Sequence, residues 1–184
     1  LNIKAFPATL YKKESNNRIR AFEYKKKLIF SNFFSHFIQY AISQKNTDFS
    51  PAIEESYVEM LLTRLCKISI STLMFEMYIE KENGTLKGEN PEQQYNYYNE
   101  EILADIEYIK KFFSLYPCLE RLIYESIRDI TSNYIELENR LKDDHESIVK
   151  ELCCGKEFSQ IIDAKAGLSD SHKKGKTVII LKLD

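Results

Sequence analysis

Between Leu119 and Leu141 the apolar residues Leu119, Ile123, Ile127, Ile130, Tyr134, Leu137 and Leu141 follow one another at steps of 4, 4, 3, 4, 3 and 4. Only a helix puts such residues on one face. His145, Ile148 and Leu152 continue the stripe. At 1.5 Å per residue an unbroken helix here would be roughly 50 Å long, a length that suits a bracing helix between sub-domains. His145 on that stripe reads as a packed or edge histidine rather than a ligand. Arg140, Asp143 and Asp144 beside it read either as a polar patch or as a solvated face. The chain has only 5 Gly and 4 Pro in 184 residues. That is little turn material, and it fits a few long helices better than many short strands.

The same spacing predicts the preceding helices. Phe22, Leu28, Ile29, Phe33, Phe37, Tyr40 and Ala41 give a helix from Ala21 to about Ser43. Its basic run, Lys25, Lys26 and Lys27, reads as a solvated face rather than a phosphate site. Ser50 and Pro51 are the N-cap and first-turn proline of a helix reaching about Lys81. Ile53, Tyr57, Met60, Leu61, Leu65, Ile68, Thr72, Phe75 and Ile79 form one strip, with Leu62, Ser69, Leu73 and Met77 beside it. Such a helix is buried on more than one side. Residues 82–91 hold an Asn-Gly pair and are the clearest loop. Asn90 and Pro91 open a helix carrying Tyr95, Tyr98, Ile102, Ile106, Ile109 and Phe113, which Tyr116-Pro117 ends. The region from 21 to 154 is therefore expected to be helical. Residues 1–20, with weak periodicity, are read as a partly ordered lead-in.

Composition excludes several classes. A net charge of −2 leaves no global basic surface for nucleic acid. No segment has the pattern of a signal peptide, and residues 28–42 are too short and polar to span a bilayer. Cys66, Cys118, Cys153 and Cys154 have no C-x-x-C spacing. They read as free buried thiols in a reducing cytoplasm rather than as disulfides or metal ligands.

After Cys154-Gly155 the pattern changes. Phe158, Ile161 and Ile162 form a short apolar patch. A polar loop with Asp170, His172 and Gly175 then leads into the β-branched run from Val178 to Leu183. With no turn or strand after it, this run is expected to lack a partner, and a strand cannot satisfy its own backbone. The chain opens on Leu1, which suggests truncation at the front as well as the back.

Asp170-x-x-x-x-Gly175-Lys176-Thr177 is one residue short of a Walker A motif. That reading fails, because a Walker loop follows a strand and opens a helix. A strand-first nucleotide loop stays open, as in kinase-like folds, with Gly175, Lys173, Lys174, Lys176 and His172 supplying flexibility and charge. So does a plain solvated hairpin. Asp170 and His172 could also serve as an acid–base pair.

Taken together, Leu168-Ser-Asp-Ser-His-Lys-Lys-Gly-Lys-Thr-Val-Ile-Ile-Leu181 resembles the stretch that opens the kinase-like core in the dehydratase domain of class II lanthipeptide synthetases (LanM-type enzymes). The family pattern is Ser/Gly-Asp-x-His, then Gly-Arg-x-Val and an apolar strand; Lys176 stands where Arg is usual. Upstream, Thr72-Leu-Met-Phe-Glu-Met77 and Gly84-Thr-Leu-Lys-Gly-Glu-Asn-Pro-Glu-Gln-Gln-Tyr95 resemble the family's helix and its Leu-x-Gly-x-x-Pro-Glu loop. There Gln94 replaces the usual Arg. Leu115-Tyr-Pro-Cys-Leu-Glu-Arg-Leu122 and Asn139-Arg-Leu-Lys-Asp-Asp144 are similar to its Tyr-Pro-x-Leu-x-Arg and Arg-Leu-x-x-Asp segments. The resemblance covers residues 50–184.

What the resemblance implies is specific. The fold would be mainly α, a long-helix bundle over 21–154 that elaborates a kinase-like domain, with 155–184 starting a truncated small lobe. The activity would be ATP- and Mg²⁺-dependent phosphorylation of Ser and Thr in a precursor lanthipeptide, followed by phosphate elimination. Asp170 and His172 would be catalytic residues of the phosphate loop, and Ser169, Ser171, Gly175 and Lys176 would bind the nucleotide. The family's lysine strand, catalytic Asp and metal ligands are not in this chain, and its zinc belongs to a cyclase domain also absent. The expectation is an N-terminal piece of a bacterial, cytoplasmic enzyme, inactive alone. Its partner would be a leader peptide with a Ser/Thr/Cys-rich core. The alternative is a non-catalytic helical peptide-binding module, with Lys25–Lys27 and an exposed Tyr95–Tyr98 cluster as peptide contacts.

Overall fold

A computed structural model describes residues 29–169, 172 and 174–184. Among these are six α-helices, one π-helical turn and one two-stranded sheet. The order is α1 (Ser31–Ser43), α2 (Pro51–Glu82), α3 (Pro91–Tyr97), the π-helical turn Tyr98–Ile102, α4 (Ile106–Leu115), α5 (Pro117–Asp143), α6 (His145–Glu151), β1 (Ile161–Lys165) and β2 (Ile180–Leu183). The described chain is mainly helical, as the periodicity predicts. The lead-in 1–20 and the basic run Lys25–Lys27 lie outside the described residues.

Two compact units divide these elements. The first comprises residues 29–40 and 65–123. Its core is aromatic. Phe33 sits 5.8 Å from Phe112 and 6.0 Å from Phe113, and Phe37 lies 5.9 Å from Phe113. Phe30 packs edge-on to Tyr98. Each such buried ring contributes about 1.5–3 kcal/mol by leaving water. Asn32 and Asn99 pair their polar groups with each other. The Asn32 N–H donates to Asn99 Oδ1 at 3.2 Å, and the Asn32 side-chain amide donates to the Asn99 carbonyl at 2.8 Å.

The expected single helix from Pro91 to the Tyr116 break is instead two. Asn90 caps it as anticipated, accepting from the Gln93 N–H. Then the Leu103 N–H reaches back five residues to the Tyr98 carbonyl at 2.8 Å. This π-type closure inserts an extra residue. It turns Tyr98 and Asn99 into the core, so the expected exposed tyrosine cluster is not exposed at Tyr98. Asp105 restarts the helix by accepting from the Glu107 N–H at 2.9 Å.

The second unit comprises residues 41–64 and 124–184. Here Phe49, Tyr57 and Tyr134 pack together. Tyr57 donates to the Ala41 carbonyl at 3.1 Å and pairs with the Thr131 hydroxyl at 2.8 Å. Ser56 pairs with Tyr134. The buried Glu138 carboxylate accepts from the Ser50 N–H at 2.8 Å, at the positive end of α2. Ser50 does occupy the N-cap position, since its carbonyl accepts from the Glu54 N–H. Its buried hydroxyl, however, makes no hydrogen bond among the described residues.

The long terminal helix is also interrupted, at Asp144. Two consecutive aspartates at a helix C-terminus oppose its negative end and have low helix propensity. The Asp144 N–H still bonds Arg140, and its carbonyl still accepts from Ile148. The apolar stripe therefore stays in phase and hides the break. His145 packs on the Phe158 ring at 4.7 Å, as a packed histidine would. Cys154 and Gly155, both with positive φ, end α6, and the Gly155 N–H closes on the Val149 carbonyl at 2.8 Å. All four cysteines are free, but none is buried: Cys66 and Cys153 are half-buried, Cys118 and Cys154 exposed. They lie off the helical stripes that face the cores.

The terminal strand is not unpartnered. β2 pairs antiparallel with β1, in the register Lys165↔Ile180, Ala164↔Leu181, Asp163↔Lys182 and Ile161↔Leu183, with an irregularity between Ile161 and Asp163. The strand's hydrogen bonds are thus met from upstream in the chain. Asp184 closes the open end of the hairpin. Its carboxylate accepts from the Ser159 hydroxyl at 2.5 Å and from the Ser159 and Gln160 N–H groups at 2.8 and 3.2 Å.

Candidate functional site

The β1–β2 hairpin does not end where its ladder does. Past β1, the Gly167 N–H donates to Thr177 Oγ1 at 3.2 Å, and the Val178 N–H donates to Ser169 Oγ at 3.1 Å. These two hydroxyls hold the arms together where the regular ladder stops. At the tip, His172 and Lys176 exchange two backbone bonds of 2.8 Å. Lys174 and Gly175 lie between them with φ of 65° and 77°. Left-handed geometry costs a residue with a Cβ about 1–2 kcal/mol, and glycine almost nothing. Gly175 is there for its φ, because a Cβ at that position would meet no atom within 4 Å.

The tip rests on the outer side of α5. Asn133 donates its side-chain amide to the Lys174 carbonyl at 3.1 Å. Lys176 Nζ reaches Glu136 Oε2 at 2.5 Å, while Arg140 reaches Glu136 Oε1 at the same distance. Asn133, Glu136 and Arg140 are i, i+3 and i+7, so they form one row on the helix. The Lys176 hydrogen bond, with Arg140 adding to it, holds the Glu136 carboxyl below its ordinary value. Lys176 and Arg140 converge on the one Glu136 carboxylate, so these three side chains together carry one positive charge in excess.

Of the loop residues singled out in the sequence, Asp170, Ser171 and Lys173 lie outside the described residues. Ser169, His172, Gly175 and Lys176 are brought together within the one hairpin. Ser169 Oγ is a backbone acceptor in the arm. The His172 and Gly175 side of the tip is exposed. Lys176 is committed to Glu136. Asn133 and Glu136 are not singled out by the sequence, and Thr177 is singled out only in the rejected Walker A reading. Their contacts span 41, 40 and 10 residues, and polar residues flanking an apolar stripe carry no signature of such pairing.

A nucleoside triphosphate would need backbone N–H groups and positive charge at this tip. The exposed turn and the Lys176–Glu136–Arg140 row are compatible with an anion. A divalent metal is a different matter. Among the described residues no group of three His, Cys, Asp or Glu side chains could hold one. The described residues therefore do not build a three-ligand site of the kind zinc takes. Nor is any helix among the described residues long and apolar enough to cross a membrane.

A family model described as a domain of unknown function (DUF4135) matches residues 116–184, the stretch holding α5, α6 and the hairpin. That domain is associated with lanthipeptide synthetases. No curated protein matches the chain.

Proposed function

We propose that the chain supplies helical structure and the phosphate-proximal hairpin of a lanthipeptide dehydratase, with the helices elaborating a kinase-like domain whose small lobe begins at the hairpin. The observation that carries this reading is the ordered set of segments 115–122, 139–144 and 168–181, lying almost wholly inside the one domain match. The reaction class is phosphoryl transfer to a Ser or Thr hydroxyl, with ADP leaving. Removal of the Cα proton then expels phosphate and leaves a dehydroamino acid, for a net loss of water. ATP would supply the phosphoryl group that later leaves as phosphate. The hairpin's part is to present the turn around His172 and Gly175 to the phosphates, with Asp170, Ser169 and Ser171 in the same loop.

The base, the nucleotide-contacting lysine and the metal ligands must come from residues other than those described. From the resemblance, we propose that the 184-residue chain alone is inactive. The test is a peptide assay. The complete gene product, given ATP, Mg²⁺ and a Ser/Thr/Cys-rich precursor peptide, should yield peptide carrying one phosphoryl group and then peptide lighter by one water per modified residue. Unmodified peptide under conditions where the protein is folded would reject the reading. So would phosphorylation by the 184-residue chain on its own.

A second reading is a helical peptide-binding module. The exposed side chains of Met74, Phe75 and Tyr78, on consecutive turns of α2, favour it.

A further inference from the structure

The tip of the hairpin is attached to α5 at two points, one of them its least favourable residue and the other two residues on. Lys174 has a left-handed backbone and is not glycine. Such a conformation persists only where its surroundings fix it. Asn133 grips the carbonyl of Lys174 itself, and Glu136 takes the side chain of Lys176, two residues on. The two anchors are three residues apart on α5, about 4.5 Å along the helix axis. Arg140 holds the other oxygen of Glu136 and so fixes the carboxylate's orientation.

We infer that Asn133 and Glu136 are positioning residues that clamp the hairpin tip at Lys174 and Lys176, and that Lys176 is the clamp's tether rather than a ligand of the phosphates. This inference rests on the dehydratase reading for its functional meaning, but the clamp is a property of the hairpin and can be judged without it. A point charge already 2.5 Å from a carboxylate presents little free field to an anion. The loop's conformation, set by the clamp, decides where the turn's N–H groups face.

The two roles of Lys176 predict opposite signs for one substitution. If Lys176 is a tether, Glu136→Gln releases it and the loop loosens, just as in Lys176→Met. If Lys176 is a phosphate ligand, Glu136→Gln frees the cation for the phosphates.

The experiment has two arms. In the first, amide exchange is followed at His172, Lys176 and Val178 in the labelled 184-residue chain. Glu136→Gln, Lys176→Met and Asn133→Ala should each speed exchange roughly two- to fivefold, the scale of an exposed charge contact. Lys176→Arg, which keeps the charge, should restore most of the protection. Exchange that is equal in wild type, Glu136→Gln and Lys176→Met overturns the clamp. Asn133→Ala removes no charge and tests the second anchor should an ionic variant fail to fold.

In the second arm, KM for ATP in peptide phosphorylation is measured with the complete gene product. The clamp requires KM to rise several-fold in both Glu136→Gln and Lys176→Met. A fall in Glu136→Gln beside a rise in Lys176→Met overturns the tether role and makes Lys176 a phosphate ligand. Absence of phosphorylation by the wild type would remove the dehydratase reading alone, and the exchange arm would still decide the clamp.

Discussion

Glu76 is a carboxylate with only 7% of its surface exposed, and it survives burial by accepting a hydrogen bond from Tyr116 Oη at 2.5 Å. That bond, more than partial burial, pushes the Tyr116 phenol up to about 12 from its ordinary value of 10.0. The sign of the pH effect follows. Below the ordinary value the phenol is protonated in both folded and unfolded chains, and the contribution is complete. As pH rises towards 12 the unfolded chain loses the proton first, and the contribution fades. Ultraviolet titration should show two tyrosines, Tyr108 and Tyr116, ionising near 12, of which one disappears in Tyr116→Phe. Tyr116→Phe should also cost about 1–3 kcal/mol at neutral pH, because a buried acceptor is left unpaired. Denaturant unfolding of the two chains measures it. None of this was legible in the sequence. In the sequence Tyr116 reads as the residue before a proline and as part of the Tyr-Pro-x-Leu-x-Arg resemblance, and it fills the first role as the C-cap of α4.

At the scale of elements, two glycines that look alike in the sequence differ in kind. Gly88 has a φ of 133°, and a Cβ there would lie 2.6 Å from Gln93 Cβ and 2.9 Å from the Gln93 and Gln94 backbone. It lets the 82–91 loop pass close against the start of α3. Gly175 has open space around it and is needed only for its φ. Gly88→Ala should therefore cost about 2–3 kcal/mol, and Gly175→Ala about 1 kcal/mol. Equal losses in thermal unfolding would contradict that distinction.

The hairpin carries its own pH signature. Its hydrogen bonds lower the Asp184 carboxyl from the ordinary 3.8, chiefly through Ser159, and Lys176 lowers Glu136 from 4.5. Both contributions are present above the ordinary values and are lost as pH falls through the lowered ones. Normalised amide protection of the hairpin should accordingly collapse in acid before the helices unfold. Loss of both together would go against it.

The helices themselves were readable to within a residue at Pro51 and Pro91, where proline and a capping residue mark the start. Their internal breaks were not. The π-type turn after Tyr98 and the interruption at Asp144 both preserve the local apolar spacing, which is the only signal periodicity offers. The partner strand β1 escaped for a related reason. Ile161-Ile-Asp-Ala-Lys165 is five residues long, and its irregular pairing between Ile161 and Asp163 breaks the alternation that identifies a strand. The terminal loop and strand were visible because Gly175 and the β-branched run sit next to each other. Their dock on α5 was not, because Glu136 and Lys176 are 40 residues apart.

In the whole molecule, the polar hairpin tip, its dock on α5 and the motif series running from Tyr116 to Leu181 belong to one stretch of chain. The motifs imply a chemistry, and the tip and its dock are compatible with it by placing an exposed turn beside fixed positive charge. Met74, Phe75 and Tyr78 leave room for a peptide-binding role that the same protein could carry alongside. The central claim is that the 168–178 loop faces nucleotide phosphates. Hydrogen exchange of the complete gene product, with Mg²⁺ and either ATP or adenosine, addresses it directly. Protection of residues 168–178 by ATP and not by adenosine is the predicted result. Peptide phosphorylation with no change in exchange across 168–178 would contradict it.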